Sequence, residues 1–370
     1  MGKNLSKHKK NSENYDSNIS TQNTSSKTFS NEKGEIYDIP QIKLLNKQNH
    51  SSNENDTIES ILTYPDIKTI LIIATRKGYI KSINNITNNE FSKSEKNIIQ
   101  IYFFDERIYS MILLNPEKHE NKIKLLIGFE NKLVLLELKS PVKGKLIQTI
   151  NCPENGKINC LLELKNNNII SAGSNNISLW TNEPGDNFTK LDSINIEENS
   201  RIINLVEFNF NNTLIATQEN THKIFLIQLN DKSLSLKEIK DKIPSIWYSY
   251  SAQKLSEKYL LLVGKFELNV IDAKNGKINS RYIGSDRGTL LNMTEKNNGN
   301  DCWVVTDFRG ESFELFLQEG NDLIFKSKID LGDDKKIGWG HKLVKISDKI
   351  IATANHYGEI CVFELTYNFE

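Results

Sequence analysis

The residues of this chain with the clearest chemical possibilities lie at its start. Met1-Gly2-Lys3-Asn4-Leu5-Ser6-Lys7 matches the N-myristoylation pattern M-G-x-x-x-[ST], in which an unhindered Gly2 amine receives the acyl chain. A single myristoyl group gives only marginal, reversible membrane binding, on the order of 10⁴ M⁻¹, so stable anchoring needs a second signal. Lys3, Lys7, Lys9 and Lys10 can supply it, at roughly 1 kcal/mol each near an anionic leaflet. Arginine usage is the second feature. The chain holds six arginines against 41 lysines, so a guanidinium stands where an ammonium was the compositional default. Arginine offers planar, bidentate recognition of a carboxylate or phosphate that lysine cannot.

Catalytic and metal-binding patterns do not emerge. His8, His50, His119, His222, His341 and His356 are scattered, and Cys152, Cys160, Cys302 and Cys361 form no C-x-x-C pair. There is no nucleophile elbow, phosphate-binding glycine loop or H-E-x-x-H. The reading is therefore a non-enzymatic chain without cofactor or metal, in a reducing compartment. Lys plus Arg equal Asp plus Glu at 47 each, which argues against a nucleic-acid partner, since such binders concentrate a basic excess on one face. A mean hydropathy of -0.48, with 38% hydrophobic residues, fits a water-soluble chain with a substantial core. Neither a membrane span nor a secretory h-region is apparent. The expected address is cytoplasmic and membrane-associated.

The elements that must position these residues are β-strands. Residues 1–34 are polar and unpatterned and are expected to be a disordered tail ahead of a folded domain at 35–370. From Ile58 onward, short β-branched runs alternate with Gly, Asn, Asp and Lys clusters, an all-β signature. A strand ending in a small residue, a tight polar turn and a second strand recur seven times. Taking Thr75, Gly128, Gly173, Thr217, Gly264, Thr306 and Ala354 as equivalent, the intervals are 53, 45, 44, 47, 42 and 48 residues. One four-stranded propeller blade occupies about 40–50 residues, so a seven-bladed β-propeller is predicted. The last copy shows only three strands, and the orphan stretch at about 36–45 is predicted to supply its fourth, closing the ring.

The third copy, Ser171-Ala172-Gly173-Ser174 before a strand closing on Trp180, resembles the WD-repeat family, as does Gly340-His341 ahead of the seventh copy. The resemblance covers about 330 residues. WD-repeat proteins usually carry a hydrogen-bonded His, Ser/Thr, Asp and Trp set within a blade, and no blade here has all four. The resemblance implies a scaffold that binds protein partners.

Blade phasing places Arg76 and Arg309 in turns between second and third strands, and Arg107, Arg201 and Arg287 ahead of innermost strands. Both loop classes emerge on one face, the top. Trp339, Tyr357 and Phe308 are expected on that face too, and arginine beside an exposed aromatic is the composition of interface hot spots. The bland alternative is structural pairing, Arg107 with Asp105 or Arg287 with Asp286. Two other functions stay open. Phe308-Arg309-Gly310 partly resembles the two-arginine motif of the phosphoinositide-binding autophagy propellers, and an enzyme site converging in the central channel needs no motif.

Overall fold

The computed structural model describes residues 28–30, 36–38 and 41–49. Between 56 and 366 it describes all but 66, 68, 87–96, 117–121, 175, 184–186, 197–200, 209–211, 219–222, 231, 239–248, 265, 284–286, 294–300, 308 and 333–341. The chain divides into two units. In the smaller, Thr28–Ser30 pairs antiparallel with Ile36–Asp38. The larger, Pro40–Tyr367, is a β-propeller of seven four-stranded antiparallel sheets.

Six blades are continuous in sequence, each running from an innermost strand a to an outermost strand d. The a strands are Ile58–Thr63, Ser110–Leu114, Cys160–Glu163, Ile202–Phe208, Ser249–Lys254, Arg287–Asn292 and Lys342–Ser347. All seven residues taken as equivalent fall at the end of strand b or within one residue of it. Small residues recur there because the ends of the b strands are crowded. A Cβ on Gly128 would lie 2.5 Å from Ser110 Oγ and 2.9 Å from the Ile158 carbonyl oxygen.

Blade seven consists of Lys342–Ser347, Ile350–Ala354 and Glu359–Thr366, completed by Gln41–Asn49 from the other end of the domain. The closing strand thus exists but begins five residues later than the pattern suggests. Pro40 has no N–H to give a ladder, so Ile36–Asp38 pairs elsewhere and the closing strand starts after it. It continues through Asn46-Lys47-Gln48-Asn49, which reads as linker. An outermost strand tolerates polar residues because one edge faces water, and a register shift between Leu44 and Asn46 keeps the pairing.

The core lies between blades rather than within them. One buried cluster joins Ile72, Ile80 and Ile101 of blade one to Leu125, Ile127 and Val134 of blade two, and equivalent clusters fill the next seams. Ile58, Ile73 and Ile83 pack with Ala352, Ile360 and Val362 to seal blade one against blade seven. Between blades six and seven, Phe313 and Phe363 meet edge to face with centroids 5.3 Å apart.

Polar contacts repeat at the blade interval across the same seams. Near the channel, Ser60 Oγ donates to the Met111 carbonyl (3.1 Å), Ser110 Oγ to Ile158 (2.8 Å) and Gln253 Nε2 to Leu290 (2.9 Å). At the outer wall, Phe188 N donates to Gln148 Oε1 (3.2 Å), Leu234 N to Asp192 Oδ2 (2.6 Å) and Leu323 N to the Tyr282 hydroxyl (3.1 Å). In each case the d strand of one blade caps the start of the next.

Blade three carries a buried polar chain behind its b and c strands. Trp180 Nε1 donates to Ser171 Oγ (2.8 Å), which also accepts from Asn155 Nδ2 (2.8 Å). Ser178 Oγ lies 2.8 Å from Asn155 Oδ1 and 3.0 Å from Asn176 Oδ1. Asn155, on the short 3-10 turn Pro153–Asn155 ahead of strand a, fastens that approach loop to the blade.

Candidate functional site

The top face is built by the loops that enter the a strands and by the b–c turns. In blade one the turn is held from below. Arg76 N donates to the Thr57 carbonyl (2.8 Å) and Lys77 N to buried Asp56 Oδ1 (3.0 Å). Gly78 takes φ +90°, and a Cβ there would sit 1.9 Å from the Phe104 carbonyl oxygen, so only glycine fits. The turn therefore presents Arg76 from a fixed backbone.

Arg76 Nε and Arg107 Nη2 converge on one carboxylate oxygen, Glu59 Oε1, at 2.8 and 3.0 Å. Glu59 belongs to strand a of blade one and its side chain is only 11% exposed, while the two arginines remain 42% and 39% exposed. The pairing of Arg107 with Asp105 is replaced by this longer-range one, because the top end of strand a points into the channel mouth between both arginine loops. Glu59→Gln should remove the negative charge that holds the two guanidiniums together. Pairs this exposed are screened, so the expected loss is about 1 kcal/mol. Melting at low and high salt checks it: the wild-type advantage should shrink as salt rises, and a salt-independent difference would mean that Glu59 acts by packing.

The Arg107 guanidinium carbon lies 4.7 Å from the Tyr109 ring centroid, and Lys157 Nζ lies 6.0 Å from it. Burial raises the Tyr109 phenol above its ordinary pKa, an effect that Arg107 and Arg201 oppose. Next to them, Thr57 Oγ1 donates to the His356 carbonyl (3.1 Å), tying blade one to the b–c turn of blade seven. His356 is exposed by surface area, yet surrounding protein partly desolvates it and lowers its pKa. Glu59 acts the other way, while Arg76, Lys342 and Arg107 lower it further.

Below this mouth lies the central channel, about 300 Å³ in volume, lined by all seven a strands. Its wall is polar at intervals, with Ser60, Asn159, Asn204, Gln253 and Thr289 among aliphatic residues, and Lys342 near the top. Cys160 also lines it, and burial pushes its thiol up to about 12 despite Lys342 and Arg201. It is a protonated, weakly nucleophilic thiol at neutral pH. The other three cysteines are buried and raised to about 12 as well.

The structure gathers Arg76, Arg107 and Arg201 near the mouth of blades one to four. Arg287 opens the a strand of blade six opposite Asp307, and Arg309 is exposed in that blade's b–c turn. Tyr357, 54% exposed, stands on the b–c turn of blade seven. Gly2, Lys3, Lys7, Lys9, Lys10, Phe308, Trp339 and His341 lie outside the described residues. Arg281, on an outer strand, pairs with Glu267 at 3.4 Å. Sequence reasoning missed Glu59, Tyr109, Lys157 and Lys342. The signal available was positional, since each sits on, or just ahead of, the start of an a strand. Among the described residues no group of three or more His, Cys, Asp and Glu is placed to hold a metal ion, and no helix is long and apolar enough to cross a membrane.

No protein-family model matches the chain, and no curated protein is similar enough to count as a relative.

Proposed function

We propose that this chain is a WD-repeat-like, non-catalytic propeller that binds protein partners on its top face and is tethered to a membrane through N-myristoylated Gly2. The observation that carries the binding half is the cluster of Arg76, Arg107, Arg201 and Lys157 with Tyr109 around the channel mouth, with exposed Arg309 and Tyr357 farther round the same face. Arginine and tyrosine at the centre of a rigid surface are the residues on which interface energy usually concentrates. The WD-repeat likeness is supported by blade three, where Trp180 and Ser171 bond as in that family and Asn155 stands in the expected histidine's place. The tether rests on the Gly2 pattern and its lysines.

The test is affinity purification with mass spectrometry on three forms. These are wild type, Gly2→Ala, and Arg309→Glu/Tyr357→Ala, whose altered residues are exposed and take no part in the Glu59 ion pairs. Defined proteins that co-purify with wild type should fall at least tenfold with the second variant. Gly2→Ala should retain them while leaving the membrane fraction. An unchanged protein set with the face variant overturns the binding surface, and unchanged membrane recovery of Gly2→Ala overturns the tether.

A further inference from the structure

On the opposite face, one hairpin differs from the rest. Strands c and d of blade two, Lys132–Ser140 and Lys143–Asn151, are nine residues each and are joined by a two-residue turn, Pro141-Val142, at the lower rim. Val142 at the tip is 48% exposed and Leu146, farther along strand d, 41%. Lys139, Lys143 and Lys145 flank them, all exposed. From Leu138 to Pro153 the sequence holds no Asp or Glu. The nearest carboxylate, Glu137, is buried, opposes Lys145 in the ladder and is ion-paired to Lys139.

Other outer strands differ: blade one's Ile98–Phe103 has no lysine, and in blade seven's Gln41–Asn49 Lys43 lies opposite Glu364 while Lys47 is ion-paired to Glu359. Blade three's carries Lys190 with Asp192, blade four's Lys237 with Glu238, and blade six's Lys326 and Lys328 between Asp322 and Asp330. Blade five's single Arg281 pairs with Glu267. Lysines on an edge strand also discourage edge-to-edge pairing, which accounts for Lys143 and Lys145. It does not account for an exposed valine at the tip of the turn, between Lys139 and Lys143. Apolar side chains ringed by cations suit a surface that is negative outside and apolar just beneath, which is an anionic bilayer.

Chain topology points to the same face. Gln41 pairs with Thr366 and Asn49 with Glu359, and Glu359 follows the top-face turn of blade seven. The backbone leading from Gly2 therefore joins the propeller at the lower face, beside exposed Lys43. A membrane held at that side leaves the arginine face turned to solvent.

We infer that the tip of the blade-two hairpin is a second membrane contact, in which Val142 enters the headgroup region of an anionic leaflet while Lys143 and Lys145 beside it meet its lipid phosphates and carboxylates. This deepens the tethered reading but is tested apart from it. Each lysine brought to an anionic leaflet raises the partition coefficient about fivefold.

The experiment measures co-sedimentation of the full chain with phosphatidylcholine vesicles, with and without phosphatidylserine. Wild type, Lys143→Glu/Lys145→Glu, Val142→Asp and a control, Lys274→Glu/Lys277→Glu, are compared, each with Gly2 acylated and unmodified. The control alters two exposed lysines in blade five's c–d turn, on the same face. The hairpin reversal should weaken binding to phosphatidylserine vesicles at least tenfold in the acylated form, and Val142→Asp several-fold, with the control within twofold of wild type. Matching melting curves exclude misfolding, and Lys143→Gln/Lys145→Gln, a gentler change, should fall between. Hairpin variants that bind like wild type in both forms overturn the inference, as does a control that loses as much; the hairpin is then a protein contact or plain edge protection. Acylated and unmodified wild type binding alike overturns the tether and leaves the hairpin comparison intact.

Discussion

Removing residues 1–49 is expected to lower the thermal midpoint of unfolding by roughly 10 °C, whereas removing residues 1–34 leaves it within about 2 °C. The difference lies in Gln41–Asn49, which the longer deletion takes away and the shorter one keeps. Without it, strand Glu359–Thr366 of blade seven becomes an edge. Ile360, Cys361, Val362, Phe363 and Leu365, now 1% exposed or less, lose cover on that side, and Leu45 leaves the cluster that seals blade seven to blade one. Re-exposing part of that surface costs about 5 kcal/mol. Because every core is shared by two blades, the loss opens the ring at its seam rather than fraying one sheet. Calorimetry on the two truncations decides the matter, and equal midpoints would mean that the three remaining strands close the ring by themselves.

Asn155→Ala is expected to cost about 3 kcal/mol, a large effect for a loop residue. The side chain is fully buried, donates to Ser171 Oγ and accepts from the Ser178 hydroxyl, so alanine removes two interior hydrogen bonds, leaving Ser171 only Trp180 and Ser178 only Asn176, and opens an unfilled space. Trp180→Phe removes the indole bond to Ser171 and also shrinks a ring buried in the seam between blades two and three, so it should cost a comparable amount. The two substitutions meet at Ser171, so the double variant should differ from the sum of the singles by about 0.5 kcal/mol or more in urea unfolding. Strict additivity would show that the side chains of this buried chain do not act as a unit. The same loop explains the glycine after strand b of blade three. A Cβ on Gly173 would sit 1.8 Å from the Asn155 carbonyl oxygen, and that backbone has no room to retreat, so Gly173→Ala should be worse than either.

The architecture was legible because a propeller writes itself as a period. Crowding at the end of each b strand keeps small residues there, and seven of them survive at regular spacing while the rest of each copy drifts. Strand ends were less legible. Pro40 set the start of the closing strand, and Asn46–Asn49 looked like linker because an outermost strand needs few apolar residues. The site was legible only as to which face. Arg76 and Arg107 are placed by loop class, but their shared partner Glu59 is 48 residues before Arg107, a distance that no local pairing argument spans. Likewise Asn155 joins the buried chain from a loop ahead of strand a, and no period or residue type in the sequence marks it out.

The closing strand also bears on how the protein is made. At about 5–20 residues per second, some 15–60 s separate synthesis of Asn49 from that of Glu359, its partner. Blades one to six can assemble in turn as they emerge, each on its predecessor, but Gln41–Asn49 must wait unpaired throughout. Its composition suits the wait. Six of the nine residues are Gln, Lys or Asn, so the segment has little apolar surface with which to seek a wrong partner. The ring is therefore completed only once the last strands have been made, and a ribosome stalled before residue 359 leaves an open arc with blade one's seam uncovered.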